Sequence, residues 1–596
     1  MCGIAGYIGK KEAKGFLTES LKRLEYRGYD SAGCAFFGKD KEFLVIRRTG
    51  RVENLAKEAE KVSGYTCGIA HTRWATHGAP EERNAHPQLS AGGSWAVVHN
   101  GIIENYKSLK EGELAGVPFS SDTDTETISD LLEKYLPLCE EKQVDDRLID
   151  GFVEAISRLR GSYAILAARK GNDKIFLAKN KSPLYVAISG GEIFVGSDVC
   201  CFEGITDRCF VMEDGDFAIA GDGKVTFYND KKEELVKKPF VFGHVGIADG
   251  KRGYRHFMEK EIAEIPEVLS AVTGNYSVGF MEERMNGINL LKIARVKLVG
   301  CGTAYHAAVY GAELIRKNTG IEAQAVVASE FRYGDPILGE DTLFVAVSQS
   351  GETADTLAAL ELAKKKGAVT VAVTNVVYSA IARLSDVVLP VFAGMEIAVA
   401  STKAYVAQLT VLYILAKFLA RKDFSAVNLL PGKAKEALET DISQAVETIG
   451  EKRELFLLGR DLDYVTAAEA ALKIKEVAYV NATAYRAGEL KHGFLALVDG
   501  DSLAVVFATR KDLFVKTLSA AEEAKARGAK LVLFSCFGAG KERGEFAEIV
   551  STSDLGEELS PMLSIIPWQR LAYAVSVGKG IDPDKPRNLA KSVTVE

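Results

Sequence analysis

The chain has 596 residues, 47% apolar and 26% charged, with a net charge of −7. That length exceeds one hydrophobic core and predicts about three or four domains. An acidic balance with no basic tract argues against nucleic acid as a partner, and no charged leader or apolar run of spanning length opens or crosses the sequence, so a cytoplasmic protein without a membrane partner is expected. The nine cysteines are scattered without ligand spacing apart from the adjacent Cys200-Cys201, which supports neither a disulfide framework nor a zinc site, and no metal or cofactor is expected.

The first stretch, Met1-Cys2-Gly3-Ile4-Ala5-Gly6, places a thiol where loss of the initiator methionine gives it a free α-amine. With a pKa of about 7.7–8.0, that amine can take the thiol proton itself or through a water. The competing reading is an incidental thiol in a frayed terminus. Ala13 to Leu24 repeats apolar residues at helical spacing and is followed by the turn Tyr26 to Gly33 and the strand Cys34 to Phe37.

An apolar strand from Cys67 runs into the polar loop His71-Thr72-Arg73-Trp74-Ala75-Thr76-His77-Gly78. There Arg73 offers a planar fork for a carboxylate and Trp74 can seal a pocket from water. At Val97-Val98-His99-Asn100-Gly101 a strand meets an amide side chain and a glycine N–H, a pair suited to holding an oxyanion, although Asn-Gly alone also suits a turn. Ser121 to Thr127 precedes a helical pattern; Asp122 is read as its cap, while Asp124 is left open between capping and holding a substrate amine. Phe152 to Tyr228 reads as the remaining sheet of the same domain, and the glycine-rich Phe242 to Gly250 as a linker before the helical Tyr254 to Ile262.

Five motifs in order closely resemble the glutaminase domain of the N-terminal-nucleophile amidotransferases: Cys2-Gly3-Ile4-Ala5-Gly6, Glu25 to Gly33, His71 to Gly78, Asn84-Ala85-His86-Pro87, and His99 to Asn105. The resemblance implies an αββα sandwich that hydrolyses the glutamine amide through a thioester. It makes Cys2 the nucleophile and, through its amine, the base. Asn100 and the Gly101 N–H hold the oxyanion, Arg73 binds the glutamine carboxylate and Asp124 its amine, and Trp74, Thr76, His77 and His86 line the pocket.

From Ala294 the pattern becomes strand, glycine loop, helix, and it occurs twice. Val296 to Gly300 corresponds to Leu455 to Gly459, and Ala363 to Ala368 to Ala524 to Ala529, an offset of about 160 residues that implies two doubly wound α/β units. Phe344 to Val347 leads into Ser348-Gln349-Ser350-Gly351-Glu352-Thr353 and a helix, so hydroxyls and N–H groups converge on an anion site; a helix cap is the alternative. In the second copy Leu503 to Phe507 leads into Ala508-Thr509-Arg510-Lys511-Asp512 without serines, so one sugar-phosphate site per chain is expected.

These halves resemble the sugar isomerase (SIS) fold. Together with Cys301-Gly302-Thr303, Ala400 to Ala404, Leu472 to Glu476, Ala487 to Gly493 and the tail Pro586 to Glu596, they make essentially the whole chain resemble the isomerizing glutamine–fructose-6-phosphate aminotransferase family. The implied boundaries are 1–240 for the glutaminase domain, 241–283 for a linker and connecting helix, and 284–445 and 446–596 for the SIS subdomains. The resemblance implies that glutamine and fructose 6-phosphate are the substrates and that the chain forms a homodimer sharing His492 between subunits. His492 opens the sugar ring, Lys591 forms a Schiff base, Glu476 moves a proton from C1 to C2, and Lys473 and Glu469 assist. Thr303, Ser348, Gln349, Ser350, Thr353, Val399 and Ala590 bind the sugar phosphate. Trp74 is expected to gate a dry passage for ammonia. Glu469, Lys473 and Glu476, at i, i+4 and i+7, share one helix face, which by spacing alone also reads as a salt-bridge ladder. The chain departs from the family pattern at Ala304, where a serine is common, and at Phe494, where a proline is.

Overall fold

The computed structural model describes residues 2–75, 77–136, 145–242, 250–538 and 544–593. Most of the glycine-rich stretch read as the linker, and Thr76, lie outside these residues. Two compact units emerge, Met1–Ile247 with Ser592–Glu596, and Ala248–Lys591.

The described residues of the first unit form 15 strands: β1 (Gly3–Ile8), β2 (Ser31–Gly38), β3 (Lys41–Thr49), β4 (Cys67–Arg73), β5 (Gln88–Leu89), β6 (Trp95–Ile103), β7 (Gly161–Arg169), β8 (Ile175–Asn180), β9 (Tyr185–Ser189), β10 (Glu192–Gly196), β11 (Arg208–Val211), β12 (Phe217–Gly221), β13 (Lys224–Tyr228), β14 (Glu234–Leu235) and β15 (Phe240–Val241). They form an eight-stranded sheet ordered β15-β11-β9-β10-β1-β4-β2-β3 and a seven-stranded sheet ordered β14-β13-β12-β8-β7-β6-β5. Side-chain alternation sets the layers. Ala96 and Val98 of β6 join Ile4, Ile69 and Leu166 between the sheets, while Trp95 and Val97 turn outward onto Ile128, Leu131 and Phe152 of covering helices. The predicted helix Ala13–Leu24 buries Ala13, Leu17, Leu21 and Leu24 and packs on β1 and β4 from the opposite side. The expected αββα sandwich is therefore present.

One local expectation is corrected. Phe152 to Tyr228 does not complete one sheet: β9, β10 and β11 join the sheet of β1, and β7, β8, β12 and β13 the other. Short apolar runs look alike whichever sheet receives them, so periodicity carries no assignment between two buried sheets. The strand that meets Asn100 and Gly101 continues as β6 to Ile103, paired residue by residue with β7.

In the second unit, β16 (Arg295–Gly300), β17 (Glu322–Val327), β18 (Thr342–Ser348), β19 (Val369–Thr374) and β20 (Val387–Pro390) form a parallel sheet ordered β17-β16-β18-β19-β20. The same order recurs as β22-β21-β23-β24-β25, from β21 (Glu454–Gly459), β22 (Asn481–Arg486), β23 (Leu503–Phe507), β24 (Lys530–Ser535) and β25 (Glu548–Ser551). The helices Thr303–Thr319 and Leu462–Ala478 correspond, and their preceding residues Gly302 and Asp461 share a φ of 54°. A single core joins the copies, running from Leu298 and Val345 through Leu412 to Leu457, Val505 and Trp568. The helix Gly556–Gly578 is pinned to the Leu462–Ala478 helix where Trp568 Nε1 donates to Ala470 O at 2.8 Å.

Candidate active sites

In the first unit, Cys2 stands at the head of β1, a strand flanked on both sides by β4 and β10. Trp74 N–H donates to Cys2 Sγ at 3.3 Å, and Sγ reaches Trp74 O at 3.6 Å. Burial pushes the thiol pKa above its ordinary value against the pull of the Trp74 contact and the Arg73 charge, so the resting group is a thiol that needs a base. Asn100, 5% exposed, donates from Nδ2 to Cys2 O at 3.1 Å, which brings the predicted oxyanion donor to the nucleophile's own residue. Beside it Gly101 has φ +135°, and an added Cβ would lie 2.0 Å from Ser162 O; a side chain there would break the β6–β7 pairing.

Arg73, 3% exposed, donates to Ala79 O at 3.3 Å, to Gly78 O at 3.1 Å and to His77 O. Its guanidinium thus organises the loop that carries Trp74 and His77. The ring of Trp74 meets Tyr29 edge-on at 5.6 Å, that of His77 meets Tyr106 at 5.3 Å, and Asp30 Oδ2 accepts Ala75 N–H at 2.8 Å. Asp124 is buried and accepts Ile103 N–H at 2.8 Å, placing its carboxylate at the end of the strand that carries Asn100. Asp122 is not a helix cap: it takes Arg83 at 2.6 Å and Asn84 Nδ2 at 3.2 Å, and the Glu126–Tyr135 helix has no side-chain cap. Glu126 instead accepts the Ser120 and Ser121 N–H groups, each at 2.7 Å, so the acidic run is spent on the loop.

His86 is buried with its ring 4.2 Å from that of His71, while His71 Nε2 lies 3.0 Å from His99 O. Burial, and then the Arg73 charge, lower His71 to about 3, and burial and His71 lower His86 well below its ordinary value. Both imidazoles are neutral supports behind the Arg73 loop at neutral pH. A polar surface cavity of about 470 Å³ lined by Lys10, Lys39, Lys41 and Thr66 contains none of the predicted site residues.

In the second unit, Lys473 and Glu469 are fully buried; Lys473 Nζ lies 2.6 Å from Glu476 and 3.4 Å from Glu469. With Lys473 and Glu469 buried and Glu476 half-buried, the trio is not a solvated ladder, so the surface-ladder alternative falls. Burial opposes the Lys473 charge, but Glu476 and Glu469 win and raise its pKa, while burial raises Glu476 against the pull of Lys473 and Lys591. Two first-copy groups complete the cluster: His306 Nδ1 lies 2.7 Å from Glu469 Oε2, and Thr303 Oγ1 donates to Glu469 Oε1 at 3.0 Å. Thr303, expected at the phosphate, spends its hydroxyl on this carboxylate. Nothing in its spacing marked His306.

The serine loop is braced internally. Ser348 Oγ accepts Gly351 N–H at 3.0 Å and lies 3.1 Å from Thr353 Oγ1; Asn375 N–H donates to Gln349 O at 3.2 Å, and Ser350 Oγ accepts Glu352 N–H at 3.2 Å. Thr353 makes no side-chain cap on the Ala354–Lys365 helix, against the capping alternative. Gly351 has φ +65°, and a Cβ there would lie 1.8 Å from Ser379 Oγ, so the tight loop requires glycine.

The described part of the C-terminal tail is held by hydrogen bonds and an ion pair. Asp584 accepts Phe257 and Met258 N–H, each at 2.8 Å, and its own carbonyl accepts Val399 N–H at 3.1 Å. Further on, Arg587 N–H donates to Tyr479 Oη at 2.7 Å. Lys591, whose place in an unpatterned tail predicts a solvated lysine, instead has its side chain 4% exposed with Nζ 2.5 Å from Glu396 Oε2. Ala590 precedes it and Val399 follows Glu396 by three residues, which brings those two predicted positions to the same neighbourhood. His492 is exposed at the end of the turn Ala487–His492, and among the described residues no hydrogen bond or ion pair joins it to Glu476 or Lys591. Sequence reasoning missed Glu396 and its neighbour Glu261; Glu396 stands just before the Ala400 to Ala404 motif, which is the signal that could have drawn attention to it.

Residues 71–204 match the family described as "Glutamine amidotransferase domain", and residues 289–417 and 448–569 the family described as "SIS domain". Curated relatives named glutamine–fructose-6-phosphate aminotransferase [isomerizing] from Clostridium acetobutylicum and Caldanaerobacter subterraneus subsp. tengcongensis are 41% and 42% identical, covering 100% of both chains in each case. The chain belongs to the isomerizing glutamine–fructose-6-phosphate aminotransferase family. The solved C-terminal domain of glucosamine-fructose-6-phosphate aminotransferase from Francisella tularensis covers 56% of this chain and 100% of its own, with 38% identity and a TM-score of 0.52.

Within this aminotransferase family member, the two departures noted in the sequence have visible settings. Phe494 is buried, with ring centroids 4.6 Å from Phe456 and 4.4 Å from Tyr485, so it fills the core of the second copy where a proline could not. Ala304 lies in the first turn of the Thr303–Thr319 helix and adds no hydroxyl there. Among the described residues of the aminotransferase, no helix is long and apolar enough to cross a membrane.

Proposed function

We propose that this chain transfers the amide nitrogen of glutamine to fructose 6-phosphate and isomerises the product to glucosamine 6-phosphate, releasing glutamate, the opening step of amino-sugar biosynthesis. The observation that carries the reading is 41% identity over the full chain to enzymes named for this reaction. Cys2, once Met1 is removed, attacks the glutamine amide with its own amine as base; Asn100 Nδ2 and the Gly101 N–H meet the developing oxyanion, and water later resolves the thioester. Arg73 and Asp124 hold the two charged ends of glutamine, with Trp74, Thr76, His77 and His86 around them. The nitrogen must travel as neutral ammonia, since protonation removes its lone pair, and Trp74 gates that transfer.

Phosphate sits on the hydroxyls and N–H groups of Ser348, Gln349, Ser350 and Thr353, with Thr303, Val399 and Ala590 around the sugar. Lys591 forms the Schiff base at C2. Glu476, whose pKa burial raises, carries the proton between C1 and C2, and Lys473 and Glu469 fix its position. The exposed His492 opens the ring in a neighbouring copy, which makes the working form a homodimer in the cytoplasm with neither membrane nor nucleic acid as partner. The functional boundaries are 1–240, 241–283, 284–445 and 446–596.

Incubation with glutamine and fructose 6-phosphate should yield glutamate and amino sugar in equal amounts, and Trp74→Ala should lower the amino sugar formed per glutamate. Glutamate without amino sugar in the unaltered protein would overturn the reading.

A further inference from the structure

Lys591 is the ammonium partner of an ion pair with Glu396, and an ammonium has no lone pair with which to attack a ketone. Some group must take its proton at the moment of attack and return one when water leaves. Among the described residues the group in contact is Glu396, whose Oε2 lies 2.5 Å from Lys591 Nζ, with the lysine side chain 4% exposed. Glu476 feels the Lys591 charge but is already bonded to Lys473 at 2.6 Å.

The setting of Glu396 is that of a fixed base. Its Oε1 accepts Thr402 N–H at 2.9 Å and Ala404 N–H at 3.0 Å, and its Oε2 accepts Ser401 Oγ–H at 2.9 Å. These bonds fix the carboxylate and leave Oε2 facing the lysine. A second carboxyl stands behind it: Glu261, 2% exposed, accepts Ile397 N–H at 2.5 Å and Ala398 N–H at 3.2 Å on Oε1. Burial opposes ionisation of Glu396, but Lys591 and the hydrogen bonds outweigh it and hold the carboxyl below its usual range; burial and the Glu396 charge push Glu261 up to about 8. Glu396 is thus the carboxylate paired with Lys591 and Glu261 the carboxyl behind it, with Lys403 as the further cation acting on Glu261.

We propose that Glu396 is a catalytic residue of the sugar half-reaction, the proton acceptor and donor for Lys591; this rests on the reading of Lys591 as the Schiff-base nucleophile. Lys591 gives one proton to Glu396 Oε2, and the freed lone pair forms the N–C2 bond while the carbonyl π-electrons move to oxygen. A proton passes from nitrogen to that oxygen, giving a carbinolamine. Glu396 returns its proton to the hydroxyl as the C2–O bond breaks, releasing water and leaving the iminium beside a carboxylate once more. Ammonium and ketone have become iminium and water, with no outside reagent.

The test is borohydride trapping of the full-length protein with fructose 6-phosphate in the absence of glutamine, with the modified peptide mapped by mass spectrometry. Unaltered protein labelled on Lys591 upholds the nucleophile reading; labelling elsewhere or none overturns that reading and the proposal with it. Given labelling on Lys591, Glu396→Gln should slow trapping about 10²-fold or more, in the range of lost acid–base catalysis. Glu396→Asp, which keeps the charge but withdraws it by one methylene, should fall between the two with an unchanged half-saturating sugar concentration, and it decides the question if the Gln variant does not fold. Trapping at the unaltered rate in the Asp variant, or a raised half-saturation with an unaltered rate constant, overturns the proposal, because Glu396 would then only anchor the tail.

Discussion

The two α/β copies of the second unit share strand order and local backbone yet treat the same corner of the fold in opposite ways. In the first, the strand Thr342–Ser348 opens into a loop whose hydroxyls bond to one another and whose flanking helix begins at Thr303 and Ala304. In the second, the residue corresponding to Ala304 is Asp463, whose buried carboxylate accepts Thr509 N–H at 3.0 Å and Thr509 Oγ–H at 2.6 Å. Beside it Arg510 is bound to Asp461, to Asp512 at 2.6 Å and to Glu557 at 3.5 Å. In the second copy a carboxylate of its own occupies the corner that the serine loop forms in the first. Its Leu462–Ala478 helix instead presents Glu469, Lys473 and Glu476, with Thr303 and His306 of the first copy bonded to Glu469. On the proposed reading, duplication has divided the work: one copy holds the phosphate, the other moves protons.

That division can be broken from either side. The largest effect is expected from Glu476→Gln, which should lower the rate of amino-sugar formation by about 10²–10⁴-fold with little change in half-saturating fructose 6-phosphate. A parallel rise in half-saturation would instead make Glu476 a binding group. Next comes Ala304→Asp, which installs the second copy's device in the first. A carboxylate at the Gln349 N–H opposes phosphate by several kcal/mol, so half-saturation should rise by about 10²-fold or more. Unchanged affinity would show that phosphate binds elsewhere.

The smallest effect concerns stability. Burial pushes Asp463 up to about 6 despite its bonds to Thr509. The folded chain thus binds this proton more tightly than the unfolded one, so the contribution favours folding below about pH 4 and is lost as pH rises through about 6, at most about 3 kcal/mol. Thermal unfolding of Asp463→Asn across that range should lack this slope, and an identical slope in both proteins would remove Asp463 as its source.

Much of the fold and of the candidate sites is legible in the amino-acid sequence, because the relevant signals are local. The Ala13–Leu24 helix, the Leu503–Phe507 strand and the repeat offset follow from apolar spacing, and Cys2 from its place in the chain. What the sequence hides depends on partners far apart along it. Lys591 reads as solvated until Glu396, 195 residues earlier, is seen to bury and pair it. Asp122 reads as a cap until Arg83 and Asn84 are found to hold it. The strands between Phe152 and Tyr228 carry the same apolar alternation in either sheet, so their division follows from pairing.

The most direct measurement supplies amide-¹⁵N glutamine and fructose 6-phosphate in the presence of excess unlabelled ammonium, and reads the isotope in the amino sugar by mass spectrometry. The account predicts glucosamine 6-phosphate carrying ¹⁵N almost exclusively. Unlabelled amino sugar, or labelled ammonium with no amino sugar, would contradict it.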